Sequence, residues 1–196
     1  MNAIKKVMIL CAISIASICS LSADTGSQAA FDLGPIQIKL TDADVRLNEL
    51  FIWELDEKHS QIFGLIDGDI RIYKSDVALD AALSHGTQIL TMGPSICGLL
   101  ELVMNLNEMQ SDVPEWVFDT SEKQVIAIGK KGCILEHGAR IVGKNKFTKA
   151  EIFESMYKIC DESYLINSVV AVELALIYSI MHSCNIDSVI YYPTGS

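Results

Sequence analysis

The chain reads as a small α+β domain, with a mainly antiparallel sheet packed against three to five helices and stapled by disulfides. Three observations predict this. Residues 61–74, QIFGLIDGDIRIYK, are two apolar runs joined at Asp67-Gly68, a dipeptide that favours the tight turn of a β-hairpin. Several longer stretches repeat their apolar residues at helical spacing, with short strand-like runs between them. Beyond the N-terminal stretch the cysteines are Cys97, Cys133, Cys160 and Cys184, and an even set of four in an oxidising compartment implies two bridges.

Residues 1–23 open with Lys5 and Lys6, continue through an apolar run over 7–18 and end in small residues before Asp24, the layout of a secretory signal peptide. The run is shorter than the ~20 residues that span a bilayer comfortably. Cleavage near Ala23 and a soluble product, periplasmic or secreted, are therefore expected. Residues 24–35 then form a flexible leader, and residues 36–196 a single α+β domain without internal repeat or linker. Cleavage removes two lysines and no acids, leaving 13 basic against 25 acidic side chains, a net charge of −12. Such a surface repels phosphate backbones and anionic lipid, which excludes nucleic acid and membrane surfaces and leaves room for a protein partner of basic character. The oligomeric state is left open.

Taken in order, residues 36–40 (IQIKL) alternate as a short strand. Thr41 offers a helix cap with Asp42 and Asp44 in the first turn, and Leu47, Leu50, Phe51 and Leu55 recur at helical spacing, which predicts a helix over 42–58. The hairpin follows. Asp67 and Asp69 do not begin a calcium loop, because the later acidic positions and the closing Glu are missing. Ser75 caps a short helix over 76–84 that stops at His85-Gly86. A strand over 87–92 then leads through Gly93-Pro94-Ser95 into a strongly apolar helix over 95–109.

Val113-Pro114 breaks the chain, and residues 116–118, 125–128, 133–135 and 140–142, turned at GKKG, read as a small antiparallel meander. Thr148 and Glu151 form a capping box for a helix that reaches Cys160. The next helix, over 164–183, is apolar almost all round except for Glu173, Asn167 and a few serines, so it belongs in the middle of a core. A charge at Glu173 would be expensive in lipid, which disfavours a membrane span. Residues 186–192 return as the last strand.

Candidate chemistry gathers at residues 93–98, GPSICG, where the final glycine falls one place late for a G-x-S-x-G nucleophile elbow. Ser95 reads first as a helix cap. Cys97, in the first helical turn, feels the positive end of the dipole, which stabilises a thiolate. His137 stands beside predicted sheet and would act as base, oriented by Glu136 or Asp187. A cysteine at a helix start followed by a histidine near a strand resembles the NlpC/P60 cell-wall peptidases, which implies nucleophile and base, although the Asp-Cys-Ser-Gly run is missing. The order Ser95, His137, Asp187 resembles Clp-type serine peptidases without the glycine pair of their oxyanion hole. Neither family is adopted.

Disulfide geometry weighs against the thiol. A helix over 164–183 spans roughly 30 Å, so Cys160 cannot reach Cys184, and each should pair with Cys97 or Cys133. Cys97 is then oxidised in either pattern. No two histidines lie four apart, there is no Cys-x-x-Cys and the glycines are scattered, so no metal and no other cofactor is expected. The resulting expectation is an exported protein-binding domain of the bacterial envelope, such as an immunity-type inhibitor of a toxin or hydrolase. The alternatives are an envelope peptidase or amidase using Cys97 or Ser95 with His137, and a structural part of an envelope assembly. Catalysis is the lesser expectation.

Overall fold

In the computed structural model, residues 50–67, 69–90, 94–110, 112–118, 124–129, 132–161 and 168–193 are described. They form β1 (Leu50–Leu55), β2 (Ser60–Ile66), β3 (Asp69–Ser75), α1 (Leu79–Ile89), α2 (Ile96–Glu108), α3 (Glu115–Phe118), β4 (Gln124–Gly129), α4 (Ile134–Val142), β5 (Lys146–Thr148), α5 (Lys149–Asp161), α6 (Ser168–Ser183) and β6 (Ser188–Pro193). The strands make one six-stranded sheet in the order β3-β2-β1-β4-β6-β5. β2 is antiparallel to both β1 and β3, its pairing with β3 following from the hairpin turn at Asp67. β4 lies parallel to β1 and to β6, and β5 closes the edge antiparallel to β6.

The register decides which side chains share a face. Trp53 stands opposite Ile62 on one side and Ala127 on the other, and Ala127 stands opposite Tyr191. These residues, with Phe51, Leu55, Val125 and Val189, join the helices in one hydrophobic core. Burying each branched side chain contributes about 2 kcal/mol. Trp53 is wholly buried and its indole N–H donates to Ser60 Oγ at 3.1 Å, so its one polar atom is satisfied. Phe51 stacks on Trp116 with ring centroids 6.0 Å apart. α6 is buried on nearly every side between residues 171 and 181, as its all-round apolar surface predicts.

Several expectations are confirmed by contacts made within a few residues. The capping box forms, with Thr148 N–H donating to Glu151 at 2.9 Å and Glu151 N–H to Thr148 Oγ1 at 3.2 Å. The hairpin, β4, α2, α5 and β6 fall where their patterns place them. Other expectations are corrected. The sheet is mixed, not mainly antiparallel, and six helices pack on it among the described residues. Residues 50–55 are a strand: Phe51, Trp53 and Leu55 also alternate, and pairing between β2 and β4 lets that period win over the helical one.

Of the predicted meander strands, 116–118 is helical in α3, and 134–135 and 140–142 are helical in α4, with Cys133 in extended backbone just before it. Likewise α1 runs through Gly86 to Ile89, so the predicted stop at Gly86 and the start of a strand at 87 do not occur. Gly86 and Gly138 are both used for helix packing. A Cβ on Gly86 would lie 2.7 Å from Val172 Cγ2, and one on Gly138 2.7 Å from Ile177 Cδ1, so both glycines let α6 come close.

No disulfide forms among the described residues, where Cys97, Cys133, Cys160 and Cys184 all remain thiols. Depth separates them: Cys97 is exposed, whereas Cys184 is fully buried beyond the end of α6, and burial pushes its thiol up to about 12. No helix among the described residues is long and apolar enough to cross a membrane. The predicted signal peptide, leader, first strand and the opening of the helix at 42–58 lie outside the described residues.

Candidate active site

Because β1, β4 and β6 are parallel, their carboxyl ends share one edge of the sheet, where a sheet of this kind presents loops and helix starts to ligands. β1 leaves this edge through residues 56–59. Asp56 Oδ1 accepts the backbone N–H groups of Lys58 and His59, each at 2.7 Å, and the His59 imidazole lies 3.7 Å from the same oxygen. Glu57 C=O accepts the N–H of Asp80 at 2.9 Å, tying the turn to α1. Asp56 is therefore committed to its own loop.

Between β4 and α4 the sequence reads GKKGC, of which Gly129, at the end of β4 on the same edge, and Gly132 and Cys133, before α4, are described. Cys133 occupies the cap position of α4 in extended backbone but gives no side-chain cap. Its thiol donates instead to the Tyr191 hydroxyl at 3.7 Å, and that hydroxyl donates to Gly129 C=O at 3.3 Å. A Cβ on Gly129 would collide with Cys133 Sγ, so glycine is what lets the thiol lie across the strand end. Burial, with the Cys133 hydrogen bond adding to it, pushes the Tyr191 hydroxyl well above its usual range. Gly132 is left-handed at φ +84°, and its N–H donates to the Glu136 carboxylate. That bond first, and the Arg140 guanidinium at 2.9 Å second, hold Glu136 below the usual carboxylate range.

One helical turn further, His137 N–H donates to Cys133 C=O at 3.1 Å. The His137 Nδ1 lies 3.0 and 3.2 Å from the two carboxylate oxygens of Glu173 on α6. Glu173 is only 5% exposed, whereas the His137 side chain is 34% exposed. An ionised carboxylate can only accept, so opposite it a neutral imidazole places its proton on Nδ1 and leaves Nε2 as the acceptor. Gly138, by admitting Ile177, sets the close approach of α4 and α6 on which this pair depends.

The predicted site residues do not form one constellation. Ser95 Oγ accepts the N–H of Gly98 at 3.1 Å, which is the cap reading. Cys97 lies exposed on α2, and Asp187 pairs with Lys149 at 3.4 Å just before the amino end of β6. Neither Glu136 nor Asp187 orients His137; Glu173 does. Glu173 was visible in the sequence as the only carboxylate of an apolar helix, but its partner 36 residues away was not. Among the described residues no group of three or more His, Cys, Asp or Glu could hold a metal ion.

No family model and no curated protein sequence matches the chain. Solved structures do. The Aquifex aeolicus PPX-GPPA enzyme superposes with a TM-score of 0.55 at 9% identity, over 76% of this chain and 55% of that one. The fold resembles that of the Ppx/GppA phosphatases. An exopolyphosphatase-like protein gives 0.54 at 12% identity, over 78% of this chain and 56% of its own. The type II variant of the Aquifex aeolicus Ppx/GppA phosphatase gives 0.53 at 8%, over 80% and 57%. The chain thus spans about half the length of these neighbours.

The likeness corrects the functional expectation. The neighbours are phosphatases, so an exported inhibitor domain, with its alternatives of an envelope peptidase and an envelope scaffold, is not the reading this fold supports. The bridges that were to stabilise an exported domain are absent from the described residues.

Proposed function

We propose that the chain is a phosphatase-type domain that binds and hydrolyses short phosphoanhydrides at the carboxyl edge of β1, β4 and β6. The observation that carries this reading is the fold likeness to Ppx/GppA phosphatases over 76–80% of the chain. The edge adds chemical support. The start of α4 carries backbone N–H groups that favour an anion, and Lys130 and Lys131 precede it in the sequence. Glu136 competes for the same N–H of Gly132, so an incoming phosphate has to displace its carboxylate or bind beside it. The formal charge of −10 opposes long polyanions more than short ones, which favours pyrophosphate or tripolyphosphate as substrate.

Purified full-length protein should release orthophosphate from tripolyphosphate, tested with and without a divalent cation. Replacing Lys130 and Lys131 together by alanine should raise KM about tenfold, since it removes two positive charges next in sequence to the start of α4. No release from pyrophosphate, tripolyphosphate or long-chain polyphosphate under any of these conditions would remove the reading.

A further inference from the structure

We infer that His137 is the proton-transfer residue of this edge and that Glu173 is its positioning residue; the inference rests on the phosphoanhydride reading above. Three observations carry it. Glu173 is the only carboxylate of α6 and is buried in an otherwise apolar setting. A carboxylate buried beside a neutral imidazole is a poor device for stability, because an apolar side chain of similar size avoids the desolvation. Packing alone therefore leaves this pair unaccounted for.

The second observation is geometric. Both carboxylate oxygens face Nδ1, at 3.0 and 3.2 Å, which selects the tautomer with a basic Nε2 on a ring whose side chain is 34% exposed. The third is position. His137 stands one helical turn beyond Cys133, and Cys133 is joined through Tyr191 to the end of β4. Neighbouring charges are engaged elsewhere. On α4, Glu136 pairs with Arg140, and Cys133 is bonded to Tyr191 of β6. On α5, which packs against α4, Glu151 is held by Lys144 and Thr148, while Glu154 and Lys158 line a groove with Ile141 further along. Lys146 on β5 is exposed.

In the step this arrangement performs, a water oxygen attacks the terminal phosphorus while Nε2 takes the water's proton. The new O–P bond forms, the bridging P–O bond breaks, and its electron pair leaves with the shortened phosphate chain. The imidazolium is stabilised against Glu173 and then returns its proton to the departing phosphate oxygen.

The test compares tripolyphosphate hydrolysis by full-length wild type, His137→Gln, Glu173→Gln and the cap variant Ser95→Ala from about pH 5 to 9. It is joined to nitrogen NMR of the imidazoles in the unliganded protein. His137→Gln is expected to lower kcat by about 10²–10⁴ with KM little changed, and to remove the acidic limb of the profile. Glu173→Gln keeps the shape and a hydrogen-bond acceptor but loses the charge, so the acidic limb should move down by about one pH unit with a lower plateau. Ser95→Ala should match wild type.

The NMR should find the His137 proton on Nδ1. An active wild type with an unaltered rate and profile in both His137→Gln and Glu173→Gln overturns this inference and leaves the phosphatase reading standing. A proton on Nε2 overturns it too. A wild type that releases no phosphate from any substrate removes the phosphatase reading and the catalytic role together, even with Nδ1 protonated. If His137→Gln does not fold, the displacement of the limb in Glu173→Gln decides.

Discussion

Helices α2 and α4 both start from a residue in extended backbone, Ser95 in one and Cys133 in the other, yet the two starts are satisfied in opposite ways. At α2 the Ser95 hydroxyl accepts the N–H of Gly98, and the start is closed within its own turn. At α4 the residue in the cap position caps nothing. Its thiol turns to Tyr191, 58 residues away, and the next turn carries His137, whose partner is 36 residues away. A helix start whose polar groups are used locally is structural. One whose groups are held by remote elements keeps chemically capable side chains in fixed places, at a cost in local stability.

The largest expected effect lies in the remote start. His137→Ala leaves the Glu173 carboxylate buried without its imidazole, and urea unfolding at pH 7 should show a loss of about 3 kcal/mol. The corresponding change at α2, Cys97→Ala, should fall within about 0.5 kcal/mol of wild type because that side chain is exposed. Equal losses in the two would break the comparison.

Next in size is Gly129→Ala, which drives a methyl group into Cys133 Sγ and should cost about 2 kcal/mol. Adding Cys133→Ala to the same chain should recover at least half of that, a coupling measurable by a double-mutant cycle. Ser95→Ala follows, with an expected loss of about 1 kcal/mol from the missing cap.

The smallest stability effect concerns Glu136. Its carboxyl is held low in the folded chain, so it contributes stability that is fully present above the unfolded carboxylate value of about 4.3 and is lost as pH falls through the depressed folded value. Glu136→Gln should therefore be less stable than wild type at neutral pH, and the gap should close on acidification below about pH 4. An unchanged gap at low pH would show that the Gly132 and Arg140 bonds do not depend on the charge. Finally, alkylation followed by mass spectrometry should label exposed Cys97 faster than half-buried Cys133 in the native protein.

Much of the local architecture was legible. Asp67-Gly68 specified the hairpin, Thr148 and Glu151 the start of α5, and the all-round apolar surface of α6 its central place. β1 was misread because Leu50, Phe51 and Leu55 satisfy a helical period as well as a strand's, and only the pairing with β2 and β4 separates the two. Gly86 is a second such case: read alone, a glycine at the end of an apolar stretch is a stop, but here it is the contact point for Val172 of α6. Of the candidate site, the Ser95 cap was legible, while the carboxylate beside His137 is Glu173 and neither Glu136 nor Asp187.

By itself, then, the sequence determined those features whose deciding contacts lie within about four residues: the turn, the caps at Ser95 and Thr148, and the apolar faces. Such contacts form in any chain that carries these residues in this order, whatever lies around them. The tertiary structure alone decided the parallel placing of β1, β4 and β6, the separation of the four described cysteines and the meeting of His137 with Glu173. Each of these depends on which elements bury one another, and that is set by the whole core at once.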